Sequence, residues 1–191
     1  MTPIRSKLVP ILAAIAFVGL SAAGLRFSET PEDANFEVID GVFGDPVKVN
    51  NGEVTVSQVK VGTALKQFGE IKDRTDGIFL AVTMTGAATG PKPLEMAAGR
   101  LLSGDIRYEG YQLSQGVTAQ PGFQTTIDSV FEVDPAQMED LTLELGSNEV
   151  LHGYQQRVRI KLGLRRASAE QWRAAASGVL EPATSTTEAI P

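Results

Sequence analysis

Few residues in this chain have the type and spacing that chemistry needs. His152 is the sole histidine and there is no cysteine, which removes His-rich zinc sites, paired-histidine catalysis, thiolate ligands and thiol nucleophiles. His152 lies in "GSNEVLHGYQ", a polar turn between apolar runs, and no G-x-S-x-G elbow supplies a nucleophile for it. It is expected to have no role. Glu132 and Asp134 are the carboxylates that a hydrolase would use as acid and base, but two carboxylates two residues apart on a strand ordinarily solubilise its face. Asp73 and Asp76 in "KDRTDG" carry oxygen ligands for calcium, yet the D-x-D-x-D-G ladder and the distal Glu are missing. A solvated turn is expected there. No catalytic residue, metal site or cofactor site is therefore assigned, and an enzyme is not expected.

One cluster remains. "QRVRIKLGLRR" projects Arg157, Arg159 and Lys161 from one face of a strand, with Arg165 and Arg166 beyond. Two readings compete. As a binding stripe, the three cations would meet an anionic partner such as a lipid headgroup, a wall polymer or an acidic protein surface. As a structural stripe, they would pair across the sheet with acids such as Asp128, Glu132 or Glu144.

The elements that would position these residues are strands. "PVKVNNGEVTVSQVKVG" alternates through Val47, Val49, Val54 and Val56, with Asn51-Gly52 as the hairpin turn. The phase slips before Val59 and Val61, which predicts a β-bulge near Ser57-Gln58. "GIFLAVTMTG" is apolar on both phases, as a central strand covered on both faces is. Ser103-Gly104-Asp105 predicts a hairpin turn. "FQTTIDSVFEVD" sends Thr125, Ile127, Ser129, Phe131 and Val133 to one face and Asp128, Val130 and Glu132 to the other. Val158, Ile160 and Leu162 alternate with the basic stripe. The Gly/Pro-rich "TGAATGPKPLEM" joins strands and specifies no ligand. Asp134-Pro135-Ala136-Gln137 predicts one helical turn. Ser168 and Gln171 form a capping box opening "AEQWRAAA", whose Trp172 and Ala176 share a docking face. From Gly178 to Pro191 periodicity is lost and a flexible tail is expected.

The N-terminus sets the compartment. From Leu8 to Leu25 no residue is charged, and a helix of that length reaches about 27 Å, close to a bilayer core of about 30 Å. Arg5 and Lys7 precede it and Glu29, Glu32 and Asp33 follow, so the positive-inside rule places residues 1–7 in the cytoplasm and the body outside. Ser21-Ala22-Ala23 offers a signal-peptidase site, so cleavage near Ala23 and secretion is the alternative. Of the 17 Lys and Arg, two lie ahead of the segment, leaving 15 against 23 acidic residues in the body. That balance repels phosphate backbones, and nucleic acid is not an expected partner.

Taken in order, "GVFGDPVKVNNGEVTVSQVKVGTAL", "GIFLAVTMTGAATG" and "PGFQTTIDSVFEVDPAQMEDLTLEL" resemble a group of actinobacterial envelope proteins. These carry one N-terminal membrane segment and one Ig-like domain of unknown function. More distantly the chain is similar to the secreted mycobacterial immunoprotective antigens. The matching blocks run through residues 41–176. The resemblance implies an Ig-like sandwich, an extracytoplasmic location in a Gram-positive-type envelope and an anchoring first segment. It brings no activity and no site residues.

The expectation is thus an all-β chain: an Ig-like antiparallel β-sandwich with one N-terminal transmembrane helix and a short C-terminal helix. The segments are 8–25 anchor or signal, 26–35 linker, 36–166 sandwich, 167–177 helix and 178–191 tail. Its function is expected to be non-enzymatic binding in the cell envelope, with the membrane and an envelope or membrane protein as partners. The alternatives are a secreted small-ligand binder and, more weakly, an envelope hydrolase.

Overall fold

A computed structural model describes residues 36–97, 99–111, 116–151, 154–164, 167–176 and 178–190. The segment 8–25, its linker, His152, Arg165 and Arg166 lie outside them. Among the described residues no helix is long and apolar enough to cross a membrane.

Two sheets form the body. The first contains β1 (Phe36–Val42), β5 (Leu94–Met96), β6 (Arg100–Ser103), β7 (Ile106–Glu109), β8 (Val117–Ala119), β10 (Thr142–Leu151) and β11 (Tyr154–Lys161). Its backbone is β1-β11-β10. The far edge of β10 is shared by β6, which carries β7, and by β5, which carries β8. β1 runs parallel to β11 and the other pairs are antiparallel. The second sheet contains β2 (Val47–Val49), β3 (Gly52–Gln67), β4 (Glu70–Ala87), β9 (Phe123–Val133), β12 (Val179–Leu180) and β13 (Thr186–Ala189), centred on β3-β4-β9.

Alternation builds the core. Ile78, Leu80, Val82 and Met84 of β4 point inward with Val54, Val56, Ile127 and Phe131. They meet Leu101, Leu143, Leu145, Val158 and Ile160 from the first sheet, all fully buried. β4 is buried continuously from Ile78 to Met84, as a central strand covered on both faces must be. Its opposite phase, Phe79 and Ala81, joins Leu65, Val130 and Leu180 in a second cluster on the outer face of the second sheet.

Local signals hold with one adjustment. The β2–β3 register pairs Val49 with Gly52, so the two-residue turn is Asn50-Asn51, with Asn51 at φ 66°, rather than Asn51-Gly52. Gly52 is required for a different reason: a Cβ there would lie 2.0 Å from the Ala87 carbonyl oxygen. The bulge falls between Val56 and Gln58. Gly104-Asp105 turns β6 into β7, with Gly104 at φ 56°. Asp134 caps a 3₁₀ turn over Pro135–Gln137 by accepting the Ala136 N–H. The capping box opens α1 (Ala169–Ala175): Gln171 N–H donates to Ser168 Oγ at 3.2 Å, and Ser168 N–H donates to Gln171 Oε1 at 2.9 Å. Ala176 is fully buried and Trp172 packs against the main core.

The expectation of a flexible tail is corrected. β12 runs parallel to β3, with Val179 opposite Ala64 and Leu180 opposite Leu65. Residues 181–185 then lead to β13, which pairs antiparallel with β9. The sandwich thus extends well past residue 166. Strands of two and four residues are too short to show a period, and the ladder of an existing edge supplies what periodicity would otherwise signal.

Candidate functional site

The basic stripe projects from the outer face of the first sheet. Register places Glu144 directly opposite Arg159 on one side and Arg100 on the other, with Arg157 opposite Gly146. Three guanidinium groups therefore converge on one carboxylate that is 4% exposed. Arg100 Nε donates to Oε1 at 2.6 Å and Arg159 Nε to Oε2 at 2.7 Å, while Arg157 Nε stands 3.7 Å from Oε1. Arg157 also lies over the Phe36 ring, 3.7 Å from its centroid, a cation–π contact that buries its stem. Lys161, at the strand's end, is exposed beside Asp40, Asp45 and Lys48. Of the three candidate acids, Glu144 is the one that takes the arginines.

Asp128 and Glu132 are engaged elsewhere. Glu132 Oε1 accepts the Thr75 hydroxyl at 2.5 Å, and Asp134 serves as the cap described above. Both border a small hollow with Asp76 and Arg173. Asp73 accepts the Tyr111 hydroxyl and the Arg74 N–H. Those bonds, Tyr111 first, hold its carboxyl below the usual range, and the same Asp73 contact pushes the Tyr111 hydroxyl up to about 12. Among the described residues no three His, Cys, Asp or Glu side chains group to hold a metal ion.

A second feature was not singled out by sequence reasoning. Between the pairs Gly62–Phe79 and Ala64–Arg74, four residues of β4 (75–78) face the single Thr63 of β3. An irregularity of this kind bends the longer strand and increases its local twist. Leu65 then packs with Phe79, Ala81 and Val130, and Tyr111 meets the Phe79 ring edge-on at 5.2 Å. Gly62 makes room for the returning chain, since a Cβ there would lie 2.8 Å from both N and Cβ of Leu180.

The hairpin tip and the 181–185 segment enclose a hollow of about 370 Å³, bordered by Lys66, Phe68, Asp128 and Ser185. The buried Asp128 carboxylate ties its walls together. Oδ1 accepts from Thr83 Oγ1 at 2.6 Å, and Oδ2 accepts from Lys60 Nζ at 3.2 Å and the Ala183 N–H at 2.8 Å. On the rim, Phe68 is 87% exposed. It sits with Gly69 at the hairpin apex, at φ 52° and 85°, the arrangement of a two-residue turn that favours Asn, Asp and Gly. A bulky side chain in this left-handed region is strained by roughly 1–2 kcal/mol. Its neighbours are neutralised: Lys66 pairs with Glu181 at 3.0 Å and Lys72 with Glu70 at 3.2 Å. The sequence signal was an aromatic immediately before the turn glycine of "KQFGE".

No family model and no curated protein matches this chain. Among solved structures it is similar to an uncharacterized β-sandwich protein from Clostridium difficile 630, at 8% identity, covering 68% of this chain and 99% of that one, with a TM-score of 0.39.

Proposed function

We propose that this chain is a non-enzymatic binding domain of the cell envelope, held outside a membrane by residues 8–25, and that it engages a protein partner through the β3–β4 tip. The observation that carries this reading is Phe68. Its ring buries almost nothing in the fold and its backbone is strained, so its position serves neither core nor turn. Exposed aromatic side chains on a defined scaffold are the anchors that dominate interfaces. Ile71, 46% exposed on the same tip, extends the apolar surface. Because Lys66 and Lys72 are paired with acids, the tip offers little net positive charge to anionic lipid, which favours a protein surface. The Ig-like character implied by the resemblance belongs to the same proposal and is supported by two largely antiparallel sheets enclosing one core.

The test is photo-crosslinking in native membranes, with a photoreactive residue in place of Phe68 and a control at exposed Glu95. A product specific to position 68 is expected. Phe68→Gly should abolish that partner's co-purification while raising stability by about 1 kcal/mol, since glycine adopts the apex conformation without strain. Absence of any position-68 product would refute the reading. The 370 Å³ hollow favours a second reading, the secreted small-ligand binder. A mature N-terminus at Gly24, read by mass spectrometry of the native protein, would select it, and an intact N-terminus would remove it.

A further inference from the structure

The outer edge of β9 is closed by the chain's own β13, and little beyond the ladder holds that strand. All four residues of β13 are exposed and none joins either core cluster. Its attachments are the register from Thr186–Thr126 to Ala189–Phe123, the Gln124 Nε2 to Glu188 Oε1 bond at 2.6 Å, the Thr125 and Thr187 hydroxyls 3.0 Å apart, and Ile190 N–H to the Gly122 carbonyl at 2.9 Å. The last buried side chain of this part of the chain is Leu180, 3% exposed. Between the two lies an irregular stretch, 181–185, in which Pro182 biases Glu181 towards extended backbone. That stretch is tied down by the Ala183–Asp128 bond and the Lys66–Glu181 pair.

We propose that β13 exchanges between two copies of this chain. Residues 181–185 act as the hinge, and the strand from one copy docks on the β9 edge of the other, reciprocally, about a two-fold axis. Opening the hinge takes no side chain of β13 out of the core, because none of β13 is in it. Each ladder bond and side-chain pair is remade in the exchanged form, so their energies cancel. The balance then rests on association entropy against relaxation of the hinge. A second copy is the occupant because the acceptor edge is side-chain specific. Gln124 is placed for Glu188 and Thr125 for Thr187, and an identical chain supplies both in register.

The absence of cysteine makes this directly testable in the full chain. Two copies with different epitope tags, one Thr126→Cys and the other Thr186→Cys, are co-expressed and oxidised in intact membranes. Directly opposed strand residues are within disulfide reach. The expected result is a covalent heterodimer in several-fold excess over the off-register pair Thr126→Cys with Ala189→Cys, whose positions are about 10 Å apart along the strand. Equal yields mean collision and overturn the proposal. It is equally overturned if no heterodimer forms while a single chain carrying both T126C and T186C cross-links within itself, or if that doubly substituted chain does not cross-link at all. As a cysteine-independent arm, native mass spectrometry of the wild-type full chain should show dimer increasing with concentration, and monomer alone at every concentration would refute exchange.

Discussion

Glu144 shows how one side chain can decide the meaning of three others. It is nearly buried and meets Arg100, Arg157 and Arg159 at 2.6–3.7 Å. Removing its charge takes away the carboxylate that the three guanidinium groups share. Breaking a fully buried pair from one side costs about 3–5 kcal/mol, and partial exposure of the arginines reduces this, so Glu144→Gln should lose about 2 kcal/mol. The urea midpoint of unfolding measures it, with the slope unchanged. Tyr111 gives a pH prediction. Its folded-state hydroxyl titrates near 12 against 10 in the unfolded chain, so the folded state holds the proton more tightly. That contribution is intact below pH 10 and is lost as pH rises towards 12. Asp73 behaves oppositely at the acid end: its lowered carboxyl contributes above about pH 3.8 and is lost as pH falls below it. In Asp73→Ala, ultraviolet titration should show one of the three tyrosines moving back towards 10. At this scale the stripe was legible in the sequence, because alternation fixes which side chains share a face. Glu144 stood there as one of three possible partners, since choosing among them needs the register of β10 against both β6 and β11.

Elements with local codes were written in the chain. The capping box, the Pro135 turn, the Ser57-Gln58 bulge and the double-phase β4 all depend on residues within a few positions of one another. The register offset at the β3–β4 tip does not. It follows from four residues opposing one, a mismatch visible only when both strands are aligned, and its stabilising contacts with Val130 and Leu180 are distant in sequence. Gly62 is the last paired residue before this offset and the point of close approach to the returning chain. Gly62→Ala should displace the chain at Leu180, because the new methyl meets backbone N as well as a side chain. We expect a loss of about 1–3 kcal/mol, and hydrogen exchange should accelerate at Ala64, Leu180 and Ala183 while Leu143 and Val158 stay protected.

The whole molecule has two apolar centres of unequal independence. The inner one joins the sheets, whereas the outer one is completed by Leu180. Leu180→Ala should cost about 2–3 kcal/mol and raise binding of a hydrophobic dye to the outer face, both read in one thermal melt. The sandwich was legible because strand periodicity and turns recur along the body, but closure of its outer face was not. Leu180 stands in "GVLEPATSTTEAIP" with no periodic neighbours, and its burial comes from the sheet it returns to. This return has a consequence for how the protein must be made. Phe79, Ala81 and Val130 are synthesised long before Leu180, so throughout elongation only Leu65 and Tyr111 are there to cover them. A nascent chain that has already emitted α1 can assemble the inner core, yet its outer cluster stays incomplete until Leu180 clears the ribosome. A stop codon placed just after Ala176 would yield a product with its sheets joined and its outer cluster short of Leu180, which quality-control proteases recognise by the surface it leaves uncovered.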